Sequence, residues 1–223
     1  MITQSQKKIY IIGSNPNDFF DLTIEAINIL SKSNVIIFSK KFDSQYSKVF
    51  KKSNKKVFFE EDLAKSKKIL FKVIHKLFEK YNSISHLIIG DPLLFFENNE
   101  ETYFQQKKIP VEKILGIPEI ILWINEKKIF LTNRNKNSSV SFFYPKTKND
   151  CNKLGKIRDF EKLIIKVSTQ SVLENIKKIF LKKLDQNLRY KIFSNAKELK
   201  LNSSLKLDKS ISNVYIIFEN VKL

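Results

Sequence analysis

Apolar residues in the first half of the chain follow two alternating patterns. Short continuous runs read as buried strands: Lys8 to Ile12 (KIYII), Val35 to Phe38 (VIIF), Val57 to Phe59, His86 to Ile89, and Val111 to Leu115. Between them lie segments with helical spacing. From Leu22 to Ser31, the side chains of Leu22, Ala26, Ile27 and Leu30 share a face, and Asp21 or Thr23 can cap the start. From Asp62 to Tyr81, Leu63, Leu70, Val73, Ile74, Leu77, Phe78 and Tyr81 form an apolar stripe. Glu100 to Lys107 reads as a polar helix. Strands that are apolar on both faces and alternate with helices predict a mainly parallel sheet covered by helices.

The pattern changes after the polar stretch Asn133 to Asn137. Ser139 to Tyr144, Lys162 to Val167, Tyr190 to Phe193 and Val214 to Phe218 read as strands, with one clear helix from Val172 to Leu184. We expect an α/β chain of two domains. An N-terminal α/β domain carrying glycine loops spans 1–126, and a C-terminal α/β domain with a mixed sheet spans 127–223.

Composition narrows this picture. A chain of 223 residues that is 42% hydrophobic can bury real cores. No apolar run approaches the roughly 18 residues of a membrane span. The run after Lys7 and Lys8 is too short for a signal peptide. The chain is therefore expected to be cytoplasmic. One cysteine, Cys151, excludes a disulfide framework and a cysteine-based zinc site. It stands in a stretch that reads as a polar loop. His75 and His86 lack a second histidine or cysteine at ligand spacing, so no metal is expected. The net charge of +18 fits a nucleic acid or an anionic small substrate. It also fits a lysine- and asparagine-rich composition, because the lysines are scattered along the whole chain.

Glycine is scarce, at four residues: Gly13, Gly90, Gly116 and Gly155. The first three each follow a predicted parallel strand, at the edge where open α/β sheets bind ligands. Their loops read GSNPND (Gly13 to Asp18), GDP (Gly90 to Pro92) and LGIP (Leu115 to Pro118). Any one of these is ordinary turn chemistry. Together they predict one cleft that holds a small molecule by backbone contacts.

GSNPND with the following DLT (Asp21 to Thr23) resembles the glycine-rich first loop of the tetrapyrrole methylases. IGDPLLFFENNEE (Ile89 to Glu101) resembles the family's second signature, and IPVEKILGI (Ile109 to Ile117) the strand and turn that follow. FLTNRNKNSSV (Phe130 to Val140) is similar to the LTHR…SV segment of the uroporphyrinogen III C-methyltransferase branch. SNAKEL (Ser194 to Leu199) and NVYIIFENVKL (Asn213 to Leu223) resemble the family's late Asn-Ala turn and final strand.

The resemblance implies a methyltransferase that takes S-adenosylmethionine as its donor and a tetrapyrrole as its acceptor, usually as a homodimer. Uroporphyrinogen III converted to precorrin-2 is the leading reaction. Another precorrin, ribosomal RNA, and a non-catalytic paralogue are the alternatives. By position, Pro16, Gly90, Asp91, Leu94, Gly116, Ile117 and Pro118 would line the donor site, joined by Asn195 and Ala196. Thr132 and Arg134 would lie near the tetrapyrrole, whose carboxylates suit an arginine. Asp18 and Asp91 are the candidate bases for removing a proton from the acceptor.

The chain also departs from the family pattern. Asn15, Asn17, Asn98 and Asn99 stand at glycine positions, where asparagine is expected to tolerate left-handed backbone. Phe38-Ser39 stands in place of a Tyr-Asp pair, which removes a carboxylate. Glu60 and Glu61 stand where a lysine is expected, and Asn133 replaces a histidine.

Overall fold

The computed structural model describes residues 7–53, 55–94, 99–132, 139–154, 161–180, 188–194, 197–199 and 214–220. The chain divides into two compact units, Met1–Leu122 and Trp123–Leu223.

The first unit is a parallel sheet with helices. Its strands are β1 (Lys8–Ser14), β2 (Val35–Phe38), β3 (Lys56–Phe59), β4 (Ser83–Ile89) and β5 (Val111–Ile114), in the order β3-β2-β4-β1-β5. Every pairing among them is parallel. All five C-terminal ends therefore share one edge, as expected from the unbroken apolar strands. Its helices are α1 (Ile24–Lys32), α2 (Ser44–Lys51), α3 (Glu60–Leu63), α4 (Lys67–Lys80) and α5 (Asn99–Gln106), and α6 (Glu119–Glu126) spans the boundary between the units. One apolar cluster joins α1 and α2 to Ile12, Ile36, Phe38, Leu87 and Ile114. A second joins α4 and α5 to Ile9, Val35, Ile37 and Ile84.

Local chemistry explains most boundaries. Of the two proposed caps for α1, Thr23 does the work, its Oγ1 accepting from the Ala26 amide at 3.2 Å. Asp21 belongs to a preceding 3-10 turn, Phe19–Asp21. The long helix expected over 62–81 is interrupted. Ala64 is extended, α3 ends, and the Ser66 side chain restarts the chain as the N-cap of α4. Helix α2 was missed, although Asp43 caps it by accepting from the Gln45 amide at 2.7 Å. Its buried Tyr46 and Phe50 show the i, i+4 spacing that signals it. Helix α6 was missed as well.

The second unit holds β6 (Val140–Phe143), α7 (Lys148–Leu154), β7 (Lys162–Val167), α8 (Gln170–Phe180), β8 (Leu188–Ser194), β9 (Lys197–Leu199) and β10 (Val214–Asn220). Its sheet runs β6-β7-β10-β8-β9 and is mixed: β6 is parallel to β7, and the remaining pairs are antiparallel. Cys151 corrects an expectation. It lies fully buried on α7, inside the core cluster with Leu173, Ile176 and Phe218. Burial raises its thiol pKa, as befits a packing residue.

One polar group stands deep in the first unit. His86 is central in β4, not at its start, and is almost fully buried. Its Nδ1 lies 2.8 Å from a carboxylate oxygen of buried Glu100, and its Nε2 lies 3.2 Å from Glu60. Burial alone would push the imidazole down. The charge of Glu100 and the hydrogen bonds to Glu100 and Glu60 override it and raise the pKa to about 10. A pKa raised on folding contributes stability that is fully present below the unfolded value, near 6.5, and is lost as pH climbs through about 10. Denaturation midpoints should therefore fall between these pH values. A His86→Gln/Glu100→Gln double variant should show a flatter profile than the parent. Glu100→Gln alone should cost about 3–5 kcal/mol at neutral pH, the usual effect of breaking a buried pair.

Candidate functional site

The C-terminal edge of the parallel sheet brings three glycines into mutual backbone contact. Gly13 is the last residue but one of β1, Gly90 follows β4 and Gly116 follows β5. A Cβ on Gly13 would stand 2.5 Å from the Gly90 carbonyl oxygen and 2.7 Å from the Gly116 nitrogen. One on Gly116 would stand 2.5 Å from the same oxygen and 2.6 Å from the Gly13 Cα. Gly90 serves differently. It has open space around it but a φ of 89°, a conformation that L side chains rarely adopt.

Asp91 holds this junction. One carboxylate oxygen accepts from the amides of Leu93 at 2.7 Å and Leu94 at 3.1 Å, and the other from the Gly116 amide at 3.0 Å. A single buried side chain thus ties the loop after β4 to the loop after β5. Its oxygens bind the protein's own backbone, which speaks against Asp91 as a base. Nearby, the Gly90 amide donates to the Ser14 carbonyl at 2.8 Å. The Ser14 hydroxyl donates to the Ile88 carbonyl at 2.9 Å, and Thr23 reaches the Leu115 carbonyl at 3.3 Å.

The first loop is pinned from below. The Tyr46 hydroxyl donates to the carbonyls of Asn15 at 2.5 Å and Asp18 at 3.0 Å. Burial raises its pKa, so the phenol remains a donor. The Asp43 amide donates to the Pro16 carbonyl at 2.7 Å. Phe19, Phe38, Phe42 and Phe50 surround Tyr46 edge-on or tilted, with ring centroids 4.9–6.2 Å away. Tyr46 is the main loop-positioning residue that the sequence reading lacked, because it rides on the missed α2.

Asn15 acts through its side chain, and neither Asn15 nor Asn17 takes left-handed backbone. Among the described non-glycine residues only Lys108 and Lys128 have positive φ. The Asn15 side chain accepts from the Asn17 amide at 3.0 Å and donates to Asp21 at 2.6 Å. Asp18 is exposed, and its carboxylate caps the 3-10 turn by accepting from the Phe20 amide at 2.8 Å. Among the proposed donor-site residues, Pro16 is buried; Leu94, Ile117 and Pro118 are half-buried, and the Pro118 carbonyl starts α6. Thr132 is exposed in the second unit. Arg134, Asn195 and Ala196 lie outside the described residues.

Two strands along the same edge, Ser39 follows β2. Its hydroxyl donates to Glu61 at 2.5 Å, and the Lys40 amide donates to the other Glu61 oxygen at 2.9 Å. Lys40 also pairs with Asp62. In the second unit, a groove of about 640 Å³ is lined by Lys127, Lys128, Lys162, Arg189 and Lys191, with Glu219 as the acidic member. Lys162 within it is ion-paired to Glu219 at 3.1 Å.

The model of the family Tetrapyrrole (Corrin/Porphyrin) Methylases matches residues 8–196. The chain therefore belongs to the tetrapyrrole methylase family. It is 30% identical over 159 residues to a uroporphyrinogen-III C-methyltransferase of Cyanidium caldarium, covering 64% of this chain and 61% of that relative. The crystal structure of uroporphyrin-III-C-methyltransferase from Thermus thermophilus superposes with a TM-score of 0.69 at 14% identity, covering 96% and 93% of the two chains. The Thermus enzyme complexed with S-adenosyl homocysteine gives 0.66 at 16% identity, covering 94% and 96%. At such identities these two likenesses speak to the fold, and they agree with the parallel and mixed sheets described above.

The glycine junction makes sharp expectations. Gly13→Ala and Gly116→Ala should each destabilise by roughly 1–3 kcal/mol or more, because backbone has to move. Chemical denaturation measures this. Gly90→Asn should cost less, since asparagine enters the left-handed region most readily and the space is open.

Proposed function

We propose that the protein is an S-adenosylmethionine-dependent C-methyltransferase that acts on a tetrapyrrole, with uroporphyrinogen III converted to precorrin-2 as its reaction. This places it on the route to sirohaem or cobalamin, as a cytoplasmic homodimer. The observation that carries the reading is the glycine junction. A binding edge made of backbone, closed to a Cβ at Gly13 and Gly116 and tied by Asp91, suits a donor held by main-chain contacts. The family match and the bound S-adenosyl homocysteine of the Thermus enzyme support the same donor. Pro16, Gly90, Leu94, Gly116, Ile117 and Pro118 are assigned to it, and the resemblance adds Asn195 and Ala196. Asp91 sets the loop geometry.

S-adenosylmethionine supplies a methyl group on a cationic sulfur, so the protein's tasks are alignment and exclusion of water. Among the described residues no helix is long and apolar enough to cross a membrane. The basic groove of the second unit favours a second reading, in which the acceptor is a polyanion such as ribosomal RNA. The LTNR segment, Leu131 to Arg134, argues for the tetrapyrrole.

Purified protein incubated with labelled S-adenosylmethionine decides between them. We expect label in uroporphyrinogen III and none in ribosomal RNA; label in RNA alone reverses the assignment. Calorimetry should register S-adenosyl homocysteine binding, and Asp91→Lys should abolish it by releasing three backbone donors and adding bulk. Arg134→Ala should raise KM for uroporphyrinogen III about 10- to 100-fold with donor affinity unchanged, the loss of one charge-assisted contact of roughly 1.5–3 kcal/mol.

A further inference from the structure

We infer that Glu61, held on Ser39, is the general base that takes the proton from the methylated acceptor. The inference rests on the methyltransferase reading above and assigns a residue that this reading leaves open.

Methylation of a ring carbon forms a carbon–carbon bond as the sulfur–methyl bond breaks. The bonding electrons leave with sulfur, which becomes a neutral thioether. The acceptor takes on the positive charge and must then lose one proton. A cationic ring gives up that proton readily, so a carboxylate suffices, provided it is ionised, accessible and on the ligand edge.

The carboxylates near the junction meet these conditions unequally. Asp91 is buried, and its two oxygens receive three backbone amides. Asp18 caps the 3-10 turn, and Asp21 receives the Asn15 side chain. Glu60 turns inward to His86, and Asp62 pairs with Lys40. Glu61 accepts from the Ser39 hydroxyl and the Lys40 amide but is exposed, so unlike buried Asp91 its carboxylate stays open to take a proton.

Its anchor is equally specific. Ser39 and Glu61 follow β2 and β3, so they stand on the edge that carries the glycines. Strand β2 is the direct neighbour of β4, whose end carries Gly90. At about 4.8 Å per strand, Ser39 stands roughly one spacing from the Gly90 loop and two from Gly13. Glu61, just past the end of β3, stands one strand further out along the same edge.

The surroundings favour the anion. Partial burial opposes the charge, but the Ser39 hydroxyl, the Lys40 amide, Glu61's own amide and the Lys40 ammonium bring the carboxyl below its usual range. Glu61 is thus ionised at neutral pH.

The test uses the full-length protein with uroporphyrinogen III and S-adenosylmethionine, alongside S-adenosyl homocysteine calorimetry. Glu61→Gln keeps one acceptor for the Lys40 amide and turns an NH2 donor toward the Ser39 hydroxyl, which can rotate to accept, but it removes the base. It should lower kcat by about 100- to 10,000-fold while leaving S-adenosyl homocysteine affinity unchanged, and Glu61→Asp should recover part of the rate. Ser39→Ala removes a bond that favours the carboxylate, so the acid limb of the kcat–pH profile should move to higher pH. A Glu61→Gln variant with kcat within about threefold of the parent overturns the assignment and leaves the methyltransferase reading standing. So does a variant that loses donor binding along with its rate. A parent protein that labels no tetrapyrrole overturns the acceptor reading and the base with it.

Discussion

The Gly90 carbonyl oxygen stands where a Cβ on either Gly13 or Gly116 would also have to stand, 2.5 Å away in both cases. Three strand ends can converge this closely only without side chains. Closeness here also fixes direction. With β1, β4 and β5 converging, Asp91 is brought within reach of the Gly116 amide and joins two loops with one carboxylate. The same convergence leaves the backbone as the lining of the edge. The first loop is then steadied from the other side by Tyr46, whose ring sits in a cage of phenylalanines. The edge is rigid because sterics hold it from above and aromatic packing holds it from below.

Much of this could be read from the chain. The parallel sheet followed from strands apolar on both faces, and the glycine loops followed from their placement after those strands. What escaped the reading was information that pattern alone does not carry. Helix α2 is short, polar on most of its surface and capped by one aspartate, so its two buried aromatics look like loop residues until the fold closes over them. Helix α4 gave a period that ran smoothly through Ala64 to Ser66, where the chain is in fact extended. Cys151 looked incidental because its neighbours Asp150 and Asn152 are polar, yet α7 turns it inward. The buried role of His86 was invisible because its partners come from two distant elements, α3 and α5.

The acidic residues of the first unit show a division of labour. With 41 Lys and Arg against 23 Asp and Glu, carboxylates are the scarcer charge. Several that the first unit does carry are placed where a cation or a row of amides needs one: Glu100 and Glu60 on His86, Asp91 on the junction, Asp43 and Asp18 at helix starts. Scattered lysines contribute little to the fold, since exposed ion pairs are worth about 0–1 kcal/mol. They leave a basic surface, of which the groove lined by Lys127, Lys128, Lys162, Arg189 and Lys191 is one part.

The glycine economy of the chain separates preference from necessity. Left-handed backbone is a preference, and apart from Gly90 the described residues meet it without glycine. Lys108 and Lys128 sit at φ 57° and 51° just past α5 and α6. The amides of Ile109 and Ile129 close the two ends onto the carbonyls of Phe104 and Ile124. Each such lysine costs on the order of 1–2 kcal/mol, which surrounding bonds offset. Asn15 shows a milder form, its side-chain hydrogen bonds to the Asn17 amide and to Asp21 shaping a loop that glycine would shape by freedom alone. Overlap with backbone is a different matter. No rotamer or hydrogen bond relieves a Cβ lodged against a carbonyl, so no other residue serves at 13 or 116 without moving strands. Of the three glycines at this point, Gly13 and Gly116 stand where overlap with backbone leaves no substitute, while Gly90 meets a positive φ in open space.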